Sequence, residues 1–183
     1  MHGSRVLYLA RHGETDWNAE SRWQGQTDVP LNDRGREQAL DLAGRLRGAG
    51  LRAVASSDLA RARVTAEIVA GALGLAVDLV DPDLRERGYG CFEGLTRAEV
   101  AERFPDVWAR HVADPGPAIP GGESRDELLA PFLVEMPRPH AADWRLHGIQ
   151  NGHVYRVVVE EGRVAAAERF EGMPGEAAAR APY

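Results

Sequence analysis

Three short runs of strand-forming or apolar residues, Val6–Ala10, Ala53–Ala55 and Ala76–Val80, alternate with two stretches whose apolar residues recur at helical spacing. That alternation constrains the fold more than any other feature, because it is how α/β proteins build a mainly parallel sheet with crossover helices. The first run is continuous, as in a strand buried on both faces. Asn32-Asp33 is a capping pair for a helix in which Ala39, Leu42, Ala43 and Leu46 share a face, and Gly48-Ala49-Gly50 stops it. Ser56-Ser57-Asp58 offers the next cap, ahead of a helix with Leu59, Ala62, Ala66 and Val69 on one side and a stop from Gly71 to Gly74.

The pattern then changes. Gly88, Gly90, Gly94, Pro105, Pro115, Pro117 and Pro120 leave room only for short helices such as Arg97–Phe104, in a lid-like excursion. Ser124 and Glu127 spell a capping box for a helix through Leu128, Leu129, Phe132 and Leu133, limited by Pro131 and Pro137. Val154–Glu160 and Val164–Phe170, separated by Glu161-Gly162-Arg163, read as a closing hairpin. A chain of 183 residues sustains one core, so a single domain is expected over residues 1–170, with 171–183 as a flexible C-terminal tail.

Composition removes several classes of function. No segment approaches the roughly 20 apolar residues of a membrane span, and the start lacks a secretory h-region and cleavage site, so a cytoplasmic location is expected. The net charge is −6 and the arginines are scattered, which leaves no basic stripe for nucleic acid or anionic lipid. Neither nucleic acid nor membrane is an expected partner. Cys91 is the single cysteine, which excludes an internal disulfide, and His147 and His153 lack the companions of a zinc site. No metal is expected.

The first apolar run ends on Arg11-His12-Gly13. Ligands in α/β sheets sit beyond the carboxyl ends of strands, and a turn at Gly13 would let Arg11 and His12 address one ligand. A neutral imidazole is a nucleophile, and a guanidinium beside it can hold phosphoryl oxygens through paired hydrogen bonds. A surface histidine at a strand end is the competing reading of these three residues.

The ordered series RHGETDWN, RWQGQTDVPLNDRGREQA (Arg22–Ala39), SSDLARARVTAEIVA (Ser56–Ala70), LRERGYGCFEGLTRAEV (Leu84–Val100) and PGGES (Pro120–Ser124) resembles the histidine phosphatase superfamily, also called the phosphoglycerate mutase-like family. The resemblance spans roughly the first two thirds of the chain. It implies a three-layer α/β fold with a mainly parallel central sheet flanked by helices. It also implies hydrolysis of a phosphomonoester, a small phosphorylated metabolite, through phosphohistidine without a cofactor. Carried over residue by residue, His12 is the nucleophile, Arg11 and Arg61 clamp the phosphoryl oxygens, and Glu86 protonates the leaving oxygen and then helps activate water. Asn18, Gln24 and Gly25 fall at phosphate-binding positions. Spacing alone does not choose Arg61 over Arg63, although the first turn of a helix after Asp58 favours an anion. Asn18 as a turn residue, and Glu86 as a partner of Arg85 or Arg87, are the alternatives.

One departure stands out. The family carries a second histidine on a Ser/Thr-His-Gly motif after an apolar strand, and no such motif is found here. His147-Gly148 has the dipeptide, but Trp144-Arg145-Leu146 before it is not a buried strand; His111, His140 and His153 are weaker candidates. About one internal strand and one helix are missing from the pattern. The sheet closing by new pairing, a strand donated by a second copy in a homodimer, and a shortened sequence are the alternatives left open.

Two rivals concern chemistry. CFEGLTR, Cys91–Arg97, has the Cys-x5-Arg spacing of cysteine-dependent phosphatases, but Glu93 would place a carboxylate in the anion cradle. A non-catalytic phospholigand-binding remnant is the second. Within the family, mutases carry a long insertion after the Glu-Gly-Leu segment, and the short run from Glu93-Gly94-Leu95 to Pro115 favours hydrolysis over mutase action. Broad phosphomonoesters, phosphoglycerates and α-ribazole phosphate all fit a pocket roofed by Phe104–Pro120.

Overall fold

Strand β1 (Arg5–Ala10) takes its hydrogen bonds from the far end of the chain. It runs antiparallel to β4 (Val154–Glu160), which turns back into β5 (Arg163–Arg169), giving a sheet of order β1-β4-β5. The computed structural model describes residues 5–127, 151, 153–160, 163–170 and 172. The hairpin predicted for the C-terminal region is therefore present, with β5 beginning one residue earlier than its predicted start.

Among the described residues the sheet is antiparallel, which corrects the mainly parallel sheet expected from the strand–helix alternation. A single parallel ladder is described, the two-residue pair of β2 (Ala55–Ser56) and β3 (Leu79–Val80). The physical reason lies in long-range pairing. Alternation specifies how consecutive elements connect, but β1 pairs with half of a hairpin, and the two strands of a tight hairpin run in opposite directions. Nor is β1 buried on both faces, since Val6, Leu7 and Leu9 keep 40–43% of their surface exposed. The helix expected through Leu128–Leu133, the positions of His140 and His147, and residues 173–183 lie outside the described residues.

Two helices pack beside the sheet. In α2 (Asp33–Leu46) the Asn32 side chain accepts the Gly35 N–H at 2.8 Å, and Ala39, Leu42, Ala43 and Leu46 are buried, both as expected from their spacing. Leu42, Ala43 and Leu46 meet Val69, Val154 and Phe170 in the main core, with Tyr8 edge-on to Phe170 at 5.0 Å. Burying each large aliphatic or aromatic side chain contributes about 1.5–3 kcal/mol. Helix α3 (Ala60–Ala72) departs from expectation at its start. Ser56, Ser57 and Asp58 do not cap it; Leu59 occupies the cap position with no side-chain bond, and Asp28 from a distant loop accepts the Ala60 N–H at 2.7 Å. Asp58 is held elsewhere, in a two-pronged pair with Arg85. The buried stripe of α3 runs through Arg61, Thr65 and Val69, four residues apart, so the helix directs an arginine inward.

The middle of the chain forms a second core. Phe92, Val100 and Ile119 are buried together, with Trp23, Tyr89 and Trp108 packed around them. Helix α4 (Arg97–Arg103) opens on a Thr96/Glu99 capping box, and α5 (Pro105–Ala113) begins on a proline whose missing N–H costs nothing at a first turn. A short helical turn, α1 (Asp16–Ala19), follows the first strand and is capped by Thr15. Ser124 and Glu127 make the reciprocal bonds of the predicted capping box.

Candidate active site

The Arg11 N–H extends the β1–β4 ladder by donating to the His153 carbonyl at 3.3 Å, and there the strand stops. Gly13 follows because nothing larger fits: a Cβ at this position would stand 2.1 Å from the Gly35 carbonyl oxygen at the start of α2. The close approach of Gly13 and Gly35 fixes the peptide that follows His12. His12 Nδ1 lies 2.6 Å from the Gly13 carbonyl oxygen, which can only accept, so Nδ1 carries the proton and Nε2 keeps its lone pair. Gly13 is anchored at its other end as well, its N–H donating to Thr65 Oγ1 at 3.1 Å.

Helix α3 supplies the cation that faces this imidazole. Arg61, 1% exposed, donates from Nε to His12 Nε2 at 3.2 Å. Its Nη1 donates to Thr27 O at 2.9 Å, and Nη2 donates to Gly25 O at 2.6 Å and to Glu86 Oε2 at 3.2 Å. A buried guanidinium is tolerable only with such a set of acceptors. Thr65, one turn further along, donates its hydroxyl to the Arg61 carbonyl at 2.7 Å. The same hydroxyl oxygen accepts from Gly13, so the nucleophile's loop and the arginine's helix are joined through one side chain. Arg63, which spacing could not separate from Arg61, is exposed and lies 3.7 Å from Glu67.

Glu86 stands at the mouth of the site, with 39% of its side chain open to solvent. Its neighbours in the chain do not claim it. Arg85 pairs with Asp58, and Arg87 donates to the carbonyls of Glu123, Pro115 and Pro117. Desolvation by the surrounding protein raises the Glu86 pKa above the ordinary carboxylate value, and the Arg61 and Arg11 cations pull it the other way. His12 is shifted oppositely, from 6.5 to about 3, first by desolvation and then by the Arg61 and Arg11 charges, while the bond to Gly13 opposes the shift. A neutral imidazole and a carboxyl of raised pKa thus meet the same guanidinium, that of Arg61.

The remaining predicted residues fall around this pair. Asn18 and Gln24 turn their oxygens to Thr15: Asn18 Oδ1 accepts the Thr15 N–H at 3.2 Å, and Gln24 Oε1 accepts the Thr15 hydroxyl at 2.6 Å. Asn18 thus completes the capping box of α1, and Asn151 links it to the His12 turn. The Gln24 Nε2 is buried and makes no hydrogen bond. Gly25, at φ +56°, contributes its carbonyl to Arg61, and any side chain there would collide with Glu93. Beside Glu86, a cleft of about 560 Å³ is lined by Gln26, Thr27, Gly88, Glu93 and Glu123 among others. Its carboxylates already tie loops together, Glu93 accepting from the Thr27 and Tyr89 N–H groups and Glu123 from Gln26 and Gly88.

Sequence reasoning missed three residues. Thr15 is fully buried and orients two amides. Thr65 could have been found, since it lies four residues beyond Arg61 on one helix face. Asn151 donates to the His12 carbonyl at 2.9 Å, to the Gly13 carbonyl at 3.2 Å and to Asn18 Oδ1 at 3.1 Å. It is brought there by the β1–β4 register, for which the sequence carries no local signal.

The Cys-x5-Arg rival loses its cradle. The backbone N–H groups of Cys91, Phe92, Glu93, Gly94 and Leu95 all donate to carbonyls, so these five are not turned to an anion, and desolvation raises the Cys91 thiol pKa. Among the described residues no three His, Cys, Asp or Glu side chains are grouped as a metal site, and no helix is long and apolar enough to cross a membrane.

The model of the histidine phosphatase superfamily (branch 1) matches residues 7–132. The chain is 40% identical over 172 residues to the probable phosphoglycerate mutase GpmB of Escherichia fergusonii, across 89% of this chain and 78% of that protein. Its fold matches the mycobacterial glucosyl-3-phosphoglycerate phosphatase solved with VO3 at a TM-score of 0.77 and 29% identity, covering 92% of this chain and 100% of that one. It matches Bacillus stearothermophilus YhfR at a TM-score of 0.71 and 28% identity, over 87% and 93% of the two chains. The chain belongs to the histidine phosphatase superfamily, and its fold is of the α/β class seen in these neighbours.

Proposed function

We propose that the chain is a phosphomonoester hydrolase that works through phosphohistidine at His12 on a small phosphorylated metabolite. The observation that carries this reading is the setting of the His12 ring: Nδ1 lies 2.6 Å from the Gly13 carbonyl oxygen, and Nε2 faces Arg61 at 3.2 Å. The Nε2 lone pair attacks phosphorus, the bond from phosphorus to the ester oxygen breaks, and protonated Glu86 gives its proton to the leaving oxygen. Water then attacks the phosphohistidine, the N–P bond breaks and returns its electron pair to Nε2, and the Glu86 carboxylate takes the proton from water. Arg11 and Arg61 offset the charge on the phosphoryl oxygens, and Asn18 and Gln24 have amide N–H groups to offer them. Gly25 serves by holding Arg61 through its carbonyl.

The test is hydrolysis of p-nitrophenyl phosphate by the chain and by its His12→Ala variant without added metal. Turnover that disappears in His12→Ala is expected; turnover unchanged in that variant would overturn the mechanism. The name of the Escherichia fergusonii relative favours a second reading, mutase action on a phosphoglycerate. Phosphorus-31 spectra separate the two, since a mutase passes the phosphoryl group to a second hydroxyl and a hydrolase releases inorganic phosphate. Phosphate binding without either product would make the chain a phospholigand-binding member of the family.

A further inference from the structure

The side of His12 away from Arg61 is occupied by a residue that belongs to neither the strand nor the helix that build the site. The antiparallel register pairs Ala10 with Val154, and the Arg11 N–H meets the His153 carbonyl, so the chain just before β4 is delivered opposite Gly13. Asn151 arrives there. Its Nδ2 stands 2.9 Å from His12 O, 3.2 Å from Gly13 O and 3.1 Å from Asn18 Oδ1, three oxygens that can only accept. A neutral amide nitrogen fits this position because it brings two N–H groups and no charge.

We propose that Asn151 is a positioning residue of the phosphate site: it holds the His12 and Gly13 carbonyls in place and fixes the amide of Asn18 with its oxygen turned inward and its nitrogen left to donate. The inference rests on the phosphohistidine reading for its role in turnover, but its geometry stands apart from it. Asn18 Oδ1 accepts from Asn151 and from the Thr15 N–H, so the opposite end of the amide, Nδ2, is the end available to an anion. The Gly13 carbonyl held by Asn151 is the one that receives His12 Nδ1–H, so the same contact steadies the imidazole with Nε2 outward. Among the described residues the chain that precedes the C-terminal hairpin thus contributes a hydrogen-bond donor directly to the nucleophile's turn.

The isosteric variant Asn151→Asp reverses the donor. A carboxylate oxygen there would repel the three carbonyl-type oxygens and accept from Asn18 Nδ2, turning that amide around. It would also place an anion near Nδ1, to which the Asn151 nitrogen lies within 3.5 Å. The charges acting on His12 are Arg61 from α3 and Arg11 at the end of β1, both opposing the imidazolium, with Glu86 paired to Arg61.

The experiment measures inorganic phosphate affinity by calorimetry and the His12 ring titration by nitrogen-15 NMR, in the parent, Asn151→Asp and Asn151→Ala, with thermal unfolding as the control for folding. Asn151→Asp is expected to bind phosphate at least about tenfold more weakly, and its His12 to protonate at least about one pH unit higher than in the parent. Asn151→Ala is expected to lose part of the affinity without that upward shift. A purely structural residue would lower the unfolding temperature and leave the phosphate affinity of the folded Asn151→Ala where it was. Phosphate affinity within about twofold of the parent in both variants, or an unmoved His12 titration in a folded Asn151→Asp, overturns the proposal. Should Asn151→Asp not fold, the affinity of Asn151→Ala decides. A parent that binds no phosphate counts against the phosphohistidine reading alone, and the His12 titration then decides for Asn151.

Discussion

Arg61 Nε and His12 Nε2 face each other at 3.2 Å, and the arginine is held in that position by acceptors on three other residues. A lysine has the charge but not the planar fork, so it cannot serve Gly25 O, Thr27 O, Glu86 and the imidazole together. Arg61→Lys is therefore expected to lower kcat/KM by about 10²- to 10³-fold. Leaving buried carbonyls without donors is expected to cost about 1–3 kcal/mol for each such group. Steady-state kinetics beside urea unfolding separates the two losses; full activity in Arg61→Lys would remove Arg61 from the phosphate clamp.

Gly13 is constrained from both sides. A Cβ would meet Gly35 O at 2.1 Å and the backbone of α2 behind it, which has no flexible end to yield. Gly13→Ala must shift the peptide that anchors Nδ1 and the N–H that reaches Thr65, so activity should fall by 10²-fold or more at a stability cost of about 1–3 kcal/mol. Turnover close to that of the parent would mean that the Gly13 carbonyl does not orient His12.

How much of this was legible in the sequence depended on range. The α2 face of Ala39, Leu42, Ala43 and Leu46, the Ser124–Glu127 capping box and the closing hairpin are local patterns, and the structure has them. Arg11, His12, Arg61 and Glu86 were recognisable because their motifs are compact, and the fold does bring His12, Arg61 and Glu86 together. The antiparallel sheet was not legible, since the choice of β4 as partner of β1 spans most of the chain. The cap of α3 failed for a similar reason: Asp28 reaches in from another loop and Asp58 is drawn off by Arg85. Asn151 depends on the same long-range register and has no local signature.

The depressed pKa of His12 makes stability depend on pH. An unfolded imidazole titrates near 6.5 and the folded one near 3. Above 6.5 both states are neutral and nothing changes. As pH falls from 6.5 towards 3 only the unfolded chain gains this proton, so stability declines across that window. Relative to His12→Gln, which lacks the group, the parent should lose about 1–2 kcal/mol between pH 7 and pH 5. Parallel stability curves for the two proteins in denaturant would show that His12 is not held neutral.

Cys91 lies in a loop whose N–H groups are committed to carbonyls, and its thiol is pushed towards the protonated form. Cys91→Ser is expected to retain hydrolysis of p-nitrophenyl phosphate within about threefold of the parent, an effect of packing alone. The loss of all turnover in that variant, with the fold intact, would transfer the chemistry from His12 to the cysteine.

Glu86 is the proposed acid because desolvation raises its pKa and because its carboxyl sits 3.2 Å from the arginine that touches His12. The need for a proton depends on the alcohol being released. A nitrophenolate is stable enough to depart unprotonated, whereas an alkoxide is not. Glu86→Gln keeps the size and the hydrogen bond to Arg61 but has no proton to transfer. We expect it to slow alkyl phosphates by about 10²- to 10⁴-fold and p-nitrophenyl phosphate far less, and to remove the fall in kcat/KM on the alkaline side of the parent's pH profile. The sign follows from the mechanism: Glu86 must be protonated to act, so the parent loses activity as pH rises through its raised pKa. Equal losses on both classes of substrate would assign Glu86 to holding Arg61 in place and leave the leaving oxygen to be protonated by another group.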